Sequence, residues 1–240
     1  MKLTIQNITL IGTNHVSEAS GTEIINHCKE NPVDIVCVEL DEKRYKRIHQ
    51  EETGFSIDDM QKHIEQLGLP GALLSFVISF FQRVLAILFN IKPGHDMITA
   101  TEYAKKENKM LFFIDQDAEI TLQQFSDKFT LEEALAILPK MVIYSLSDMF
   151  SKDSELFSML DLRKVPSLKL IRLVNERTKI IFPTFYKIII ADRNKYMSRQ
   201  IIKIAEKHPE SKILVVIGGG HMDGISELLK KQFPEGEKTA

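Results

Sequence analysis

Residues 212–225 read KILVVIGGGHMDGI, and no other stretch of the chain restricts the fold as tightly. Val215, Val216 and Ile217 form the short β-branched run that a strand buried on both faces requires. Gly218, Gly219 and Gly220 admit backbone angles closed to other residues, so a sharp turn is expected there. Residues 226–231 are helical in character. His221 is therefore expected at a strand-to-helix turn on the carboxyl edge of a sheet, where open α/β sheets bind ligands.

The same figure occurs at residues 9–17, TLIGTNHVS, where an apolar strand end is followed by Gly12 and, after two residues, by His15. With 11 Gly and 7 His in 240 residues, chance supplies roughly 0.3 Gly-x-x-His pairs. Two such pairs, each directly after an apolar strand ending in isoleucine, suggest parallel strands that deliver both imidazoles to one edge.

The rest of the chain supplies the strands and helices such a sheet needs. A strand over residues 3–11, a helix over 20–30 stopped at Asn31-Pro32, and a strand over 35–40 make a βαβ unit. From Asp41 the sequence becomes charged and helical, with a helix expected over 57–67. Residues 72–91 follow, apolar except for a narrow stripe of Ser75, Ser79, Gln82 and Asn90. That helix is expected in the core or in a homodimer interface, with a membrane surface as the other option. Arg83 at its centre costs roughly 2.5 to 3.5 kcal/mol on insertion and disfavours a span. Further on come a helix over 99–108, a strand over 110–114 running into Asp115 and Asp117, and a capping box from Thr130 to Glu133. Residues 140–208 are mostly helical, with breaks near Pro166 and Pro183 and a strand-like run at 188–190. The expected fold is α/β, a mostly parallel central sheet built from both chain ends, flanked by helices, with a large helical insertion. One domain is expected over residues 1–240, with its α/β core at about 1–41, 93–122 and 185–233 and helical insertions at about 42–92 and 123–184.

Charge excludes one class of partner. With 31 basic and 33 acidic residues the net charge is −2, and no global field draws the chain to nucleic acid. Cys28 and Cys37 lack metal-ligand spacing and are expected to be reduced and structural. The amino end alternates polar and apolar residues without a signal-peptide core, so a cytoplasmic location is expected, with membrane association through residues 72–91 as the variant.

His15, His221 and Glu39 all fall at or just past strand ends. Two histidines and one carboxylate can bind a divalent cation and leave positions open for water, a combination suited to hydrolysis. The same residues can instead bond to tight-turn backbone, with Glu39 capping the next helix. Asp192-Arg193-Asn194 opens a helix; Arg193 is either a clamp for a carboxylate or oxyanion, or a solvated residue of the first turn. Asp115 and Asp117 could add carboxylates to a site, although acids after a strand more often serve turns and caps, and Lys43, Arg44, Lys46 and Arg47 around Tyr45 read as a solvated face.

Taken together, GTNHVS at 12–17, VCVELDEKRY at 36–45, PGHDM at 93–97, FIDQDAEITL at 113–122, DRNKYM at 192–197 and VVIGGGHMDGI at 215–225 resemble the motif series of the TraB/PrgY family. The resemblance implies a fold related to the Tiki and erythromycin-esterase-like proteins. It implies a divalent metal (Mn, Co or Zn) held by His15, His221 and Glu39, with Glu39, Arg193 and Arg44 as catalytic groups. Tiki relatives are metal-dependent proteases, and PrgY is a membrane-associated protein that limits a peptide pheromone. The implied function is thus a metal-dependent hydrolase acting on peptides, or alternatively a non-catalytic module that sequesters one. The family's Glu-Arg-Asp, Gly-x-Glu-Met and Asp-Arg-Asp motifs stand here as Asp192-Arg193-Asn194, Gly94-His95-Asp96-Met97 and Asp115-Gln116-Asp117. Many relatives also carry carboxyl-terminal membrane spans that residues 1–240 do not include, so a naturally short member or the soluble domain alone is expected.

Overall fold

The computed structural model describes residues 1–13, 18–50, 95–130, 132–133, 136, 139–140 and 168–234. His15, the 57–67 and 72–91 helices and much of the second insertion lie outside the described residues. Lys2–Ile5 (β1), Ile8–Thr13 (β2), Ile35–Val38 (β3), Met110–Phe113 (β4) and Ile213–Gly218 (β5) form one sheet in the order β1-β2-β5-β3-β4. All its pairings are parallel except the hairpin β1-β2. A mostly parallel sheet whose central strand comes from the end of the chain and is flanked by strands from its beginning is the architecture expected from the sequence.

Register decides where the side chains of interest emerge. Thr13 of β2 lies beside Gly218 of β5, and Val38 of β3 lies beside both Val216 and Phe113. Pairing continues past the strands, because Glu39 N–H donates to the Val216 carbonyl at 3.0 Å and Asp115 N–H to the Leu40 carbonyl at 3.2 Å. The carboxyl ends of four strands therefore finish in line.

Both faces of the sheet are covered. Glu18–Glu30 (α1) and His95–Lys106 (α3) pack on one face, where Ile24, Cys28, Met97, Ala100 and Ala104 meet Val36, Val38, Leu214 and Val216. Glu42–Gln50 (α2) follows β3, and Ala118–Lys128 (α4) follows β4. Leu168–Ile181 (α5) leads to the short helix Pro183–Tyr186 (α6), then to a π-helical stretch at Lys187–Asp192 and to Arg193–Lys207 (α7). With Met222–Gln232 (α8), α7 covers the other face through Met197, Ile201, Ile225 and Leu229 against Ile35, Cys37, Ile213, Val215 and Ile217. Alternate residues of β5 thus serve opposite cores, as a doubly covered strand must. Burial raises the thiol pKa of Cys28 to about 11 and that of Cys37 further still, so both remain protonated and, as expected, outside any disulfide. Among the described residues no helix is long and apolar enough to cross a membrane.

Three local expectations are corrected. The single strand over 3–11 is a hairpin, because Gln6, with φ of 50°, turns the chain and Asn7 anchors the turn by donating to the Ser211 carbonyl at 2.8 Å. The strand-like run at 188–190 belongs to the π-helical stretch: Pro183 opens a helix at its first position, and the three isoleucines continue it as buried residues. A β-branched run that short is ambiguous by periodicity alone. Finally, the histidine turn depends on close approach at Gly219, not on unusual backbone angles. Gly218 has φ of −62°, and Gly219 lies where a Cβ would meet Met1 Cε at 2.7 Å and Ile171 Cδ1 at 2.8 Å. Gly12 likewise lets Met222 lie across β2.

These contacts give a contrast to measure. A methyl group at Gly12 collides with Met222 Cγ in the middle of a buried side chain, whereas one at Gly220 meets nothing within 4 Å. Gly12→Ala is expected to cost about 1 to 3 kcal/mol in urea unfolding, with partial recovery in combination with Met222→Ala. Gly220→Ala should stay within about 0.5 kcal/mol of the parent; equal losses at the two positions would contradict the close-approach account.

Candidate functional site

The π-helical stretch brings the chain over the carboxyl edge of the sheet and starts α7 with Arg193, whose side chain points down onto the ends of β3 and β4. Only 2% of that side chain is exposed. Its guanidinium grips Asp115 with two bonds, Nε to Oδ1 at 2.9 Å and Nη2 to Oδ2 at 2.8 Å. Nη2 also donates to Glu39 Oε1 at 2.6 Å, and Nη1 to the Ile189 carbonyl at 3.2 Å. Burial alone would lower the guanidinium's pKa, but Asp115 and Glu39 outweigh it and push the pKa above its ordinary value. The charge is permanent.

Glu39 is held from both sides. Its Oε2 accepts the Gly218 N–H at 2.7 Å, while Oε1 lies 3.2 Å from His221 Nε2. His221 sits in the single turn Gly219–His221 and is buried; its Nδ1 is 2.6 Å from Asn194 Oδ1. Asp115 is in turn met by Arg44 Nη1 at 3.3 Å. Arg44 keeps 18% of its side chain in solvent and belongs to α2, whose cap is Asp41, accepting Arg44 N–H at 2.8 Å. A further buried carboxylate, Asp96 of α3, accepts the Thr13 hydroxyl at the end of β2.

The structure therefore brings Glu39, Arg193 and His221 together and joins Arg44 to them through Asp115, so Arg44 is not part of a purely solvated face. Of the two readings of Arg193, the solvated helix start is not the one observed. Glu39 does not cap α2. His15 lies outside the described residues. Among the described residues no three His, Cys, Asp or Glu side chains are grouped to hold a metal; His221 Nε2 and Glu39 Oε1 are an adjacent donor pair. Asp115 and Asn194 belong to the cluster as well. Asp115 had a signal, since it is an acid at the end of an apolar strand, as Glu39 is. Asn194 had none.

Comparisons with known proteins extend over nearly the whole chain. The model of the TraB/PrgY/gumN family matches residues 2–233. An uncharacterised protein of Methanocaldococcus jannaschii is 29% identical over 226 residues, which is 94% of this chain and 54% of that protein. TraB domain-containing proteins of Bos taurus and Homo sapiens are each 22% identical over 241 residues, 92% of this chain and 62% of theirs. The chain thus spans between half and two thirds of the length of these relatives.

Two outcomes follow from the electrostatics. Arg193→Ala leaves two buried carboxylates facing each other and is expected to cost about 3 to 5 kcal/mol in denaturant unfolding. The triple variant Arg193→Met, Glu39→Gln, Asp115→Asn should lose less than the single one, and a strictly additive result would deny the coupling. Asp41 behaves oppositely: burial raises its pKa, and the Arg44 contacts lower it without cancelling that effect. A carboxyl whose folded pKa is raised adds stability below its unfolded value of about 3.9 and loses it as pH rises through the folded value. Asp41→Asn keeps the cap without the charge, so its melting temperature should exceed the parent's at pH 7, with the gap closing in acid. An unchanged gap across that range would rule out Asp41 ionisation as the cause.

Proposed function

The chain belongs to the TraB/PrgY/gumN family, and we propose that it is a metal-dependent hydrolase acting on peptides, with His15, His221 and Glu39 as ligands of a divalent cation, Mn, Co or Zn. One observation carries this reading, the 3.2 Å separation of His221 Nε2 and Glu39 Oε1. Two donors each 2.0 to 2.1 Å from a tetrahedral ion stand about 3.3 Å apart. Asn194 beyond Nδ1 and Gly218 N–H beyond Oε2 hold the far side of each donor, the support that metal ligands require. Topology supports His15 as the third ligand, since β2 runs parallel beside β5 and His15 comes two residues in sequence after Thr13, the residue paired with Gly218.

Such an ion supplies Lewis-acid activation of water and of a substrate carbonyl. Arg193 fixes Glu39 at the edge of the sheet. Arg44, partly in solvent and tied to Asp115, is the cation offered to a peptide carboxylate or to developing oxyanion charge. The substrate class is taken from the family resemblance.

A second reading, a non-catalytic peptide-binding module, draws support from Glu39 itself. Both of its oxygens already accept hydrogen bonds from the protein, as those of a structural carboxylate would. Homodimerisation and membrane-surface contact through residues 72–91 are compatible with either reading.

Calorimetric titration with Mn²⁺, Co²⁺ and Zn²⁺ separates the two. A hydrolase should bind one of these ions per chain, lose binding in His15→Ala and in His221→Ala, and bind more weakly in acid, because the ligand is neutral imidazole. No heat in the parent, together with a lowered melting temperature in His221→Ala, would favour the binding module.

A further inference from the structure

We propose that Asn194 is a positioning residue that fixes the tautomer of His221, keeping the proton on Nδ1 so that the Nε2 lone pair is the one presented beside Glu39. The usefulness of that lone pair to a cation rests on the metal-site reading above; the tautomer itself does not.

The argument is a count of protons and acceptors. A neutral imidazole carries one N–H, and the His221 ring is buried with an acceptor at each nitrogen, Asn194 Oδ1 at 2.6 Å from Nδ1 and Glu39 Oε1 at 3.2 Å from Nε2. An ionised carboxylate accepts only, so Glu39 alone would draw the ring proton to Nε2 and turn the donor pair into a closed hydrogen bond. Two features oppose this. The Glu39 oxygens already take Arg193 Nη2 at 2.6 Å and Gly218 N–H at 2.7 Å, which lessens their demand for a third donor. The Asn194 contact is also the shorter of the two, and a bare Nδ1 lone pair held 2.6 Å from an amide oxygen would be repelled by it.

The amide is fixed by its surroundings. Asn194 follows Arg193 in the first turn of α7, so the carboxylates that anchor Arg193 also set the position of Asn194 over the ring. From the far side α8 presents Gly224, where a Cβ would fall on Asn194 Nδ2 and 3.0 Å from its Cγ. Gly224 therefore makes the space in which the amide nitrogen sits while its oxygen faces His221. One residue on α7 and one on α8 together determine which ring nitrogen is bare.

The experiment is long-range ¹H–¹⁵N correlation NMR of the full chain labelled with ¹⁵N-histidine, free of metal and at alkaline pH so that the ring is neutral. The His221 signals are identified by their loss in His221→Gln. The parent should show a protonated Nδ1 and a bare Nε2. Asn194→Leu, which removes the acceptor and keeps the branch at Cγ, should invert the pattern, and Asn194→Asp, which keeps an oxygen at Nδ1, should retain it. Should Asn194→Leu fail to fold, Gly224→Ala drives a methyl group into the amide and is expected to shift the signals toward the inverted tautomer. With Zn²⁺ or Co²⁺, Asn194→Leu should lose roughly 10- to 100-fold in affinity while Asn194→Asp does not. A bare Nδ1 in the parent, or an unchanged tautomer in Asn194→Leu or Gly224→Ala, overturns the proposal. Because the tautomer is read without metal, absence of cation binding would count against the metal site and leave this result to stand on its own.

Discussion

The guanidinium of Arg193 between Glu39 and Asp115 is the contact on which the rest of this edge depends. It joins the ends of β3 and β4 to the start of α7, which lies 154 and 78 residues further along the chain respectively. An ion removed from water costs several kcal/mol after relaxation, so none of the three charges can be buried without the others. The cluster therefore forms only when α7 has docked and both strands are in register. Its contribution lies less in the bonds made than in the cost of every arrangement that leaves one of these charges alone.

The sheet makes that convergence possible. Parallel strands in register end together, and here the ladder continues one residue further, so that Glu39 and Asp115 emerge from backbone already tied to Val216 and Leu40. Bound in this way, the carboxylates have little freedom to lose on pairing with Arg193. Close packing of the histidine turn does the same for His221: Gly219 lets the turn lie against Met1 and Ile171, and Asn175 Nδ2 donates to the Gly220 carbonyl at 3.0 Å. The π-helical stretch is the less regular part of the design. It winds more widely than an α-helix, with i→i+5 bonds, and keeps Ile188, Ile189 and Ile190 buried while the arginine turns toward the strands.

What could be read from the sequence was what sits at strand ends; what could not was which helix lies over them. Glu39 and His221 are polar residues immediately after apolar runs, and that pattern locates them without knowledge of the packing. Asp115 has the same pattern, but the pattern alone is weak, because an acid after a strand serves turns more often than clusters. Arg193 is marked by the family motif and not by its local pattern, since a charged residue in the first turn of a helix is usually solvated, and its burial depends on α7 crossing the sheet at this edge. The Gln6–Asn7 turn was hidden for a simpler reason. It has no glycine, and alternation resumes immediately after it, so that a hairpin and a single long strand look alike. The Thr130 cap was legible because it is local: Glu133 N–H donates to the Thr130 hydroxyl at 3.2 Å.

Stability and chemistry are consequently not separable at every position of this site. Glu39 is both the neighbour of His221 Nε2 and a counter-ion of a buried arginine, so any substitution there removes a donor from the proposed ligand set and at the same time strands a positive charge. Loss of function at Glu39 or Arg193 would say little by itself. The informative positions lie on the perimeter, where a side chain touches the cluster without balancing its charge. Asn194 is neutral and reaches only the far nitrogen of the histidine ring. Arg44 touches Asp115 from the solvent side, with Arg193 still present to balance that carboxylate. Changes at these two residues therefore test the proposed binding and orienting roles while leaving the ion cluster that holds the sheet edge together.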